Sequence, residues 1–441
     1  MIERLRNLDI NYLSIYILFG YILCLPIANI TAIQNGLFLL FMLIFIYFNF
    51  KQFDYKDFLK IKTFFIIFGV LLFLAIISSF YSINQKETLS EIRSEFIKPL
   101  IYFILIFFLI NLSNRDKIIK LFFLLGCVLA FHTFLNIGIW IDNGGWPSRT
   151  GGLLDGTIVS FGISAAGERF GIWTTYALAF SISMLFTKYE KITYVFILIV
   201  FISIIANHTR ATFIGSIFIL FSYFIFFYKN KLIKFLLLFL FILSIISFTF
   251  YSKNFEERFN IYNMISSLKY LDDYTPSEFK ILEDNYGLGH STVSRLAMWK
   301  SVILYRMDEP FYPQSYGRFL YGKSLKEINK DKQENIPYVV YSQTHSDFMS
   351  MLFSLGIVGL IFFILLLSYT LKISYILTTN SNYKAFGIFV FLGTFGYIGS
   401  MIFGSFFGDT EQLFFYILLG AILALYVKHL NESKNEKIKT N

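Results

Sequence analysis

Residues 346–370 read SDFMSMLFSLGIVGLIFFILLLSYT, with one charged side chain, Asp347, at the start and none after it until Lys372. A helix of about 20 mostly apolar residues crosses the roughly 30 Å hydrocarbon core of a bilayer. Backbone groups in lipid must be satisfied within the segment, and no period-two alternation marks a barrel strand, so the stretch is predicted to be a transmembrane helix. Working outward, similar apolar runs fall at 11–30, 35–50, 63–82, 97–112, 118–141, 171–187, 192–206, 211–228, 233–251, 385–405 and 411–428. The expected fold is an all-α membrane protein of about twelve spans. Residues 1–251 hold helices one to nine, 252–344 form a large polar loop, and 345–441 hold helices ten to twelve and a tail.

Composition agrees with lipid as the main solvent. Of 441 residues, 56% are hydrophobic and 15% charged, where soluble domains carry about a quarter charged residues. The formal charge of +9 is spread over loops without a basic stripe interleaved with stacking aromatics, so no nucleic-acid partner is expected. Cys24 and Cys127 both sit in apolar runs and indicate neither a disulfide framework nor a metal site. The opening MIERLRN is followed by a long apolar run without a small-x-small cleavage signal, which reads as a retained first helix.

Lysine and arginine in short loops set the orientation. With both termini in the cytoplasm, the inner segments hold 20 basic residues and the short outer segments 6, while the long loop holds 12 and lies outside. A second asymmetry separates the two faces. Arginine supplies 3 of the 20 inner basic residues but 8 of the 18 outer ones: Arg93, Arg149, Arg169, Arg210, Arg258, Arg295, Arg306 and Arg318. The planar guanidinium binds phosphate with two parallel hydrogen bonds, which a lysine cannot do. A lipid-linked diphosphate at the outer leaflet fits this bias; small-number scatter is the alternative.

Several outer residues are candidates for chemistry. Arg210, in NHTRATFIG, occupies a tight turn between two apolar helices, against the positive-inside trend; it either faces a site or snorkels as an anchor. His208 beside it is a second candidate base. His345, in YSQTHSDFMS, stands where the long loop enters the tenth helix, with Thr344 or Ser346 available as its cap. An imidazole there can take a proton from a sugar hydroxyl, with Asp347 placed to orient it or to act itself; a plain interfacial polar residue is the alternative. The stretch 291–306, STVSRLAMWKSVILYR, reads as an amphipathic helix with Arg295, Trp299, Val302 and Arg306 on one face. It either lies on the membrane with Trp299 at the headgroups and Arg295 toward substrate, or merely packs the loop. Arg149 and Arg169 lie within the glycine-rich outer loop 142–170 and either line a site or belong to a merely flexible connection. No P-loop, dinucleotide fingerprint, zinc-spaced cluster or paired acidic metal motif stands out, so neither cofactor nor metal is expected.

These segments together resemble the O-antigen ligase-like family, which also takes in O-antigen polymerases. TRATFIG resembles the family's Arg-x-x-x-Leu turn, with Ile214 for Leu. SRLAMWKS resembles its Arg-x-x-x-Trp loop segment, and RFGIWTT its Arg-x-Gly helix opening. THSDFMSMLFSLGIVGL resembles its His-Asn-x-x-Leu…Gly-x-x-Gly segment, with Ser346 for Asn and Met349 for Leu. The resemblance implies a membrane-embedded, C-type glycosyltransferase of the bacterial inner membrane, with its active site facing the periplasm. The donor is then a glycan on undecaprenyl diphosphate, and the acceptor a lipid A–core sugar or a second lipid-linked glycan. His345 would be the base, and Arg210 with Arg295 and Arg169 would hold the leaving diphosphate, supported by Asp347, Trp299, His208 and Arg149. Arg306 and Gly317 have the Arg-x10-Gly spacing of polymerases, but Arg149 and Arg169 do not, which favours the ligase. A transporter or lipid-linked glycan flippase is the reading from another class; no internal repeat of the transporter kind is evident.

Overall fold

The computed structural model describes residues 10–27, 30–49, 52, 54–142, 144–145, 167–207, 209–228, 290–328, 343–406 and 410–440. Among them every regular element is helical. The N-terminal part contains α1 (Ile10–Cys24), α2 (Thr31–Asn49), the short α3 (Lys56–Lys60), α4 (Lys62–Phe80), α5 (Gln85–Ile92) and α6 (Lys98–Leu112). A π-helical turn, Arg93–Ile97, joins α5 to α6. Then come α7 (Arg115–Asp142), α8 (Gly167–Met184), α9 (Glu190–Asn207) and α10 (Arg210–Phe226). From the polar loop, α11 (His290–Asp308) and α12 (Tyr321–Ile328) are described, followed by α13 (Asp347–Leu377), α14 (Lys384–Ile402) and α15 (Thr410–Thr440).

Seven of the described helices are long and apolar enough to cross a membrane, and three more apolar helices are shorter: Tyr12–Cys24, Thr31–Tyr47 and Arg210–Phe226. The predicted segments coincide with helices wherever they are described; the expected ninth helix, 233–251, lies outside the described residues. So do Arg149, His208 and the loop stretches 252–289 and 329–342. The amphipathic reading of 291–306 is met by α11. Helices hydrophobic on every side belong in the interior of a membrane bundle. Accordingly α14 is buried along most of its length between α8, α10 and α13, while α15 packs on α6.

The two ends of the bundle differ chemically. At one end Lys60 Nζ donates to Asn431 Oδ1 at 2.9 Å, Tyr383 OH donates to Glu432 Oε1 at 2.6 Å, and the Lys120 ammonium lies over the rings of Tyr12 and Tyr16. At the other end Ser400 Oγ donates to the Ala211 carbonyl at 3.0 Å, Gln412 Nε2 to the Glu95 carbonyl at 3.0 Å, and the Ile83 amide to Ser315 Oγ at 3.1 Å. Arg210, next to Ala211, lies at this second end.

Helix α13 is two helices in one. Gly356 sits at φ 69° and ψ −171°, which breaks the ladder and divides the element into 347–355 and 357–377. The loop supplies the partners that the break removes. The Ile357 amide donates to the Pro310 carbonyl at 2.9 Å, and the Gln314 amide donates to the Ser354 carbonyl at 2.8 Å. Arg306 donates to the Phe353 carbonyl as well. A Cβ on residue 356 would lie 2.8 Å from the Pro310 oxygen, so only glycine fits both the dihedral and the approach.

Candidate active site at the arginine-bearing mouth

Arg210 is the first residue of α10. Thr209 precedes it as N-cap, with an extended backbone and its side chain accepting from the Thr212 amide. The Asn207 Oδ1, at the end of α9, accepts from Thr209 Oγ1 at 2.6 Å and from Thr212 Oγ1 at 2.7 Å. This knot fills a notch in α8 that exists because residue 171 has no side chain. A Cβ there would overlap Thr212 Oγ1, 2.8 Å from Asn207 Oδ1 and 3.0 Å from Thr209 Oγ1. The glycine of the Arg-x-Gly segment thus fixes the first turn of α8, where Arg169 lies in the backbone, against the first turn of α10. The side chain of Arg169 is outside the described residues.

His345 lies between the loop and α13, with its side chain half-buried. Its φ is 51°, the only positive φ at a non-glycine among the described residues. Such backbone costs on the order of 1–3 kcal/mol and persists where surroundings over-determine it, often at functional sites. The surroundings here are specific. Trp299 Nε1 donates to the Thr344 carbonyl at 3.0 Å, Thr344 Oγ1 donates to the Ser346 carbonyl at 2.8 Å, and Ser346 Oγ donates to the Met401 carbonyl at 3.2 Å. Ser346 therefore occupies the N-cap position of α13 but turns its hydroxyl to α14 rather than to its own helix.

Asp347 is almost wholly buried, 1% exposed, and both its carboxylate oxygens accept the Phe406 amide at 3.0 Å, while its own amide donates to the Gly404 carbonyl at 3.2 Å. It clamps the connection between α14 and α15. The charges that act on His345 come from Arg295 and Arg318. Burial lowers the imidazole pKa from the usual 6.5, and these two guanidinium groups lower it further, to about 4. Arg295 Nη1 donates to the Phe403 carbonyl at 3.0 Å, and Arg318 Nε donates to Gln343 Oε1 at 2.7 Å.

The end of α14 joins the parts. Ser400 holds Ala211 beside Arg210, Met401 holds Ser346 beside His345, and Phe403 holds Arg295. Arg210, Arg295, Arg318 and His345 therefore stand at one end of the bundle, where α8, α10 and α13 also begin. Helix N-termini and guanidinium groups both favour an anion at such a place.

For α11 the loop-packing alternative has direct support. The Trp299 indole packs on Phe403 with ring centroids 5.4 Å apart and donates to the Thr344 carbonyl. The polar face of α11 that carries Arg295, Trp299, Val302 and Arg306 is turned to the protein, with Val302 and Arg306 buried. Arg306 donates to the Glu309 carbonyl at 2.6 Å, the Tyr312 carbonyl at 2.7 Å and the Phe353 carbonyl, so the Arg306–Gly317 spacing describes a folded loop. Sequence reading missed Arg318 as a site residue. No short motif surrounds it, and the excess of outer arginines was the one signal that included it.

The fold and this mouth define a multi-pass, all-helical membrane protein with an imidazole set among guanidinium groups. Residues 194–364 match the family model described as O-Antigen ligase, so the resemblance read from the sequence is borne out over that segment. The family covers O-antigen ligases and polymerases, glycosyltransferase-like enzymes that act on lipid-linked glycans. The matched segment holds Arg210, Arg295, Arg318, His345 and Asp347; Arg169 lies before it. No curated protein matches the chain at a significant level.

Proposed function

We propose that the protein is an O-antigen ligase of about twelve spans in the bacterial inner membrane, with both termini cytoplasmic and its mouth open to the periplasm. It transfers a whole glycan from undecaprenyl diphosphate to a sugar hydroxyl of lipid A–core. One observation carries the reading: an imidazole kept neutral at physiological pH stands among arginines where three helices begin. His345 accepts the proton of the acceptor hydroxyl as its oxygen attacks the anomeric carbon. The bond from that carbon to the diphosphate oxygen breaks, and the diphosphate leaves with the bonding electrons. Arg210 and Arg295, with Arg169, stabilise its growing charge. Guanidinium groups supply that stabilisation without a metal, and attack from the face opposite the leaving group inverts the anomeric centre.

Removing one such electrostatic donor typically lowers a rate on the order of a hundredfold or more. His345→Ala and Arg210→Ala are each expected to abolish transfer while the protein still reaches the membrane. Normal lipopolysaccharide ladders from either variant would overturn the assignment. Deleting the gene distinguishes the two activities of the family. Long chains trapped on the lipid carrier identify a ligase, whereas single capped repeats identify a polymerase.

A further inference from the structure

The outward side of α11 exposes several apolar side chains. Ile303, Leu304 and Met307 are exposed there at helical spacing, and Phe311 continues the face past the helix end; Met307 is 73% and Phe311 67% exposed. The position of this face in the fold identifies what covers it. Pro310 and Phe311 lie against Gly356 of α13, the Tyr316 amide donates to Ser78 Oγ at 3.3 Å on α4, and the Tyr312 ring meets Tyr81 at 4.4 Å. Both α13 and α4 carry exposed apolar strips, with Ile357, Ile361 and Ile364 on one and Ile66, Phe73 and Phe80 on the other. The stretch from Ile357 to Leu377 rises about 30 Å at about 1.5 Å per residue, which matches the hydrocarbon thickness. The outer hydrocarbon boundary thus falls at the break, where the loop touches α13.

We propose that Ile303, Leu304, Met307 and Phe311 insert into the outer leaflet, among the hydrocarbon chains of its lipids. The loop is then seated by the bilayer on one face and bound to the mouth on the other, through Arg306 to Phe353 and Trp299 to Thr344. Two independent features converge on lipid as the occupant: continuity with the apolar belt, and the depth set by the length of α13 beyond Gly356.

Spin labels at positions 307 and 311 test it, on a Cys24→Ser, Cys127→Ser background in phosphatidylethanolamine–phosphatidylglycerol vesicles. Collisions with oxygen and with a water-soluble nickel chelate are compared with labels at Ile361, on the lipid-facing strip, and at exposed Lys323. Labels at 307 and 311 should resemble Ile361, with oxygen favoured severalfold over nickel. Nickel access equal to that at Lys323 overturns the proposal, and in vesicles of lipid alone it points instead to a protein partner on this face. A label at Ile303 gives the same reading if either substitution prevents insertion.

Discussion

Lowering the pH titrates His345, and its surroundings fix where the change falls. With a pKa of about 4, the imidazole is about 90% neutral at pH 5; at the ordinary 6.5 it would be about 3% neutral, a difference of about thirtyfold. If His345 is the base, kcat/KM for glycan transfer stays nearly level from pH 8 to pH 5 and falls only below. Burial is the larger cause of the depression and the Arg295 and Arg318 charges the lesser. Arg318→Gln should therefore move the acid limb upward but leave it below 6.5. Diphosphate bound at Arg295 would offset that arginine's charge, so the limb in kcat should lie above the limb in kcat/KM. The assay is transfer from undecaprenyl-diphosphate glycan to lipid A–core in proteoliposomes across that pH range. Modification of His345 by diethyl pyrocarbonate, read by peptide mass, gives the same midpoint without substrate. A wild-type limb centred at 6.5, or no movement in Arg318→Gln, would refute the reasoning. Stability follows the same sign. The unfolded chain takes up this proton near 6.5 and the folded one only near 4, so acidification through that window destabilises the fold, while above 6.5 this group contributes no pH dependence.

Arg210→Lys should remain impaired in the reconstituted assay, because a point charge does not reproduce the two-pronged guanidinium contact; full activity would argue against diphosphate binding there. Gly171→Ala places a methyl on the Thr212 hydroxyl and should cost about 1–3 kcal/mol of stability or displace the start of α10. Adding Thr212→Ala should recover part of the loss, and strictly additive effects in thermal melts would contradict the notch. Gly356→Ala meets both a positive φ and the Pro310 oxygen, and should destabilise by about 1–3 kcal/mol, with proteolysis of the loop at 310–316 as the sensitive readout; unchanged cleavage would count against the cap.

Hydrophobic runs made the helices legible. The run at 346–370 is unmistakable, and Ser346, one of the two residues offered as its cap, stands at the N-cap position of α13. The break at Gly356 was hidden, because a glycine in an apolar run looks the same whether its φ is −60° or +69°. What decides it is the Pro310 carbonyl, far away along the chain. Arg295 and Trp299 were correctly grouped on one face, but spacing alone does not tell which side of that face meets lipid. The buried Val302 and exposed Met307 show which side of α11 meets the protein. Arg318 was overlooked for a related reason: its effect on His345 acts through space, across a loop whose path no local pattern prescribes.

The Asn207–Thr209–Thr212 knot under Gly171 is built from neutral groups and shape. Ionic attraction between an arginine and a phosphate weakens as salt rises, whereas buried amide and hydroxyl contacts are indifferent to it. If this mouth binds a diphosphate as proposed, its binding strength varies with the salt around it while the spacing between the α8 and α10 openings stays constant. An enzyme so divided would lose affinity in brine without losing its aim.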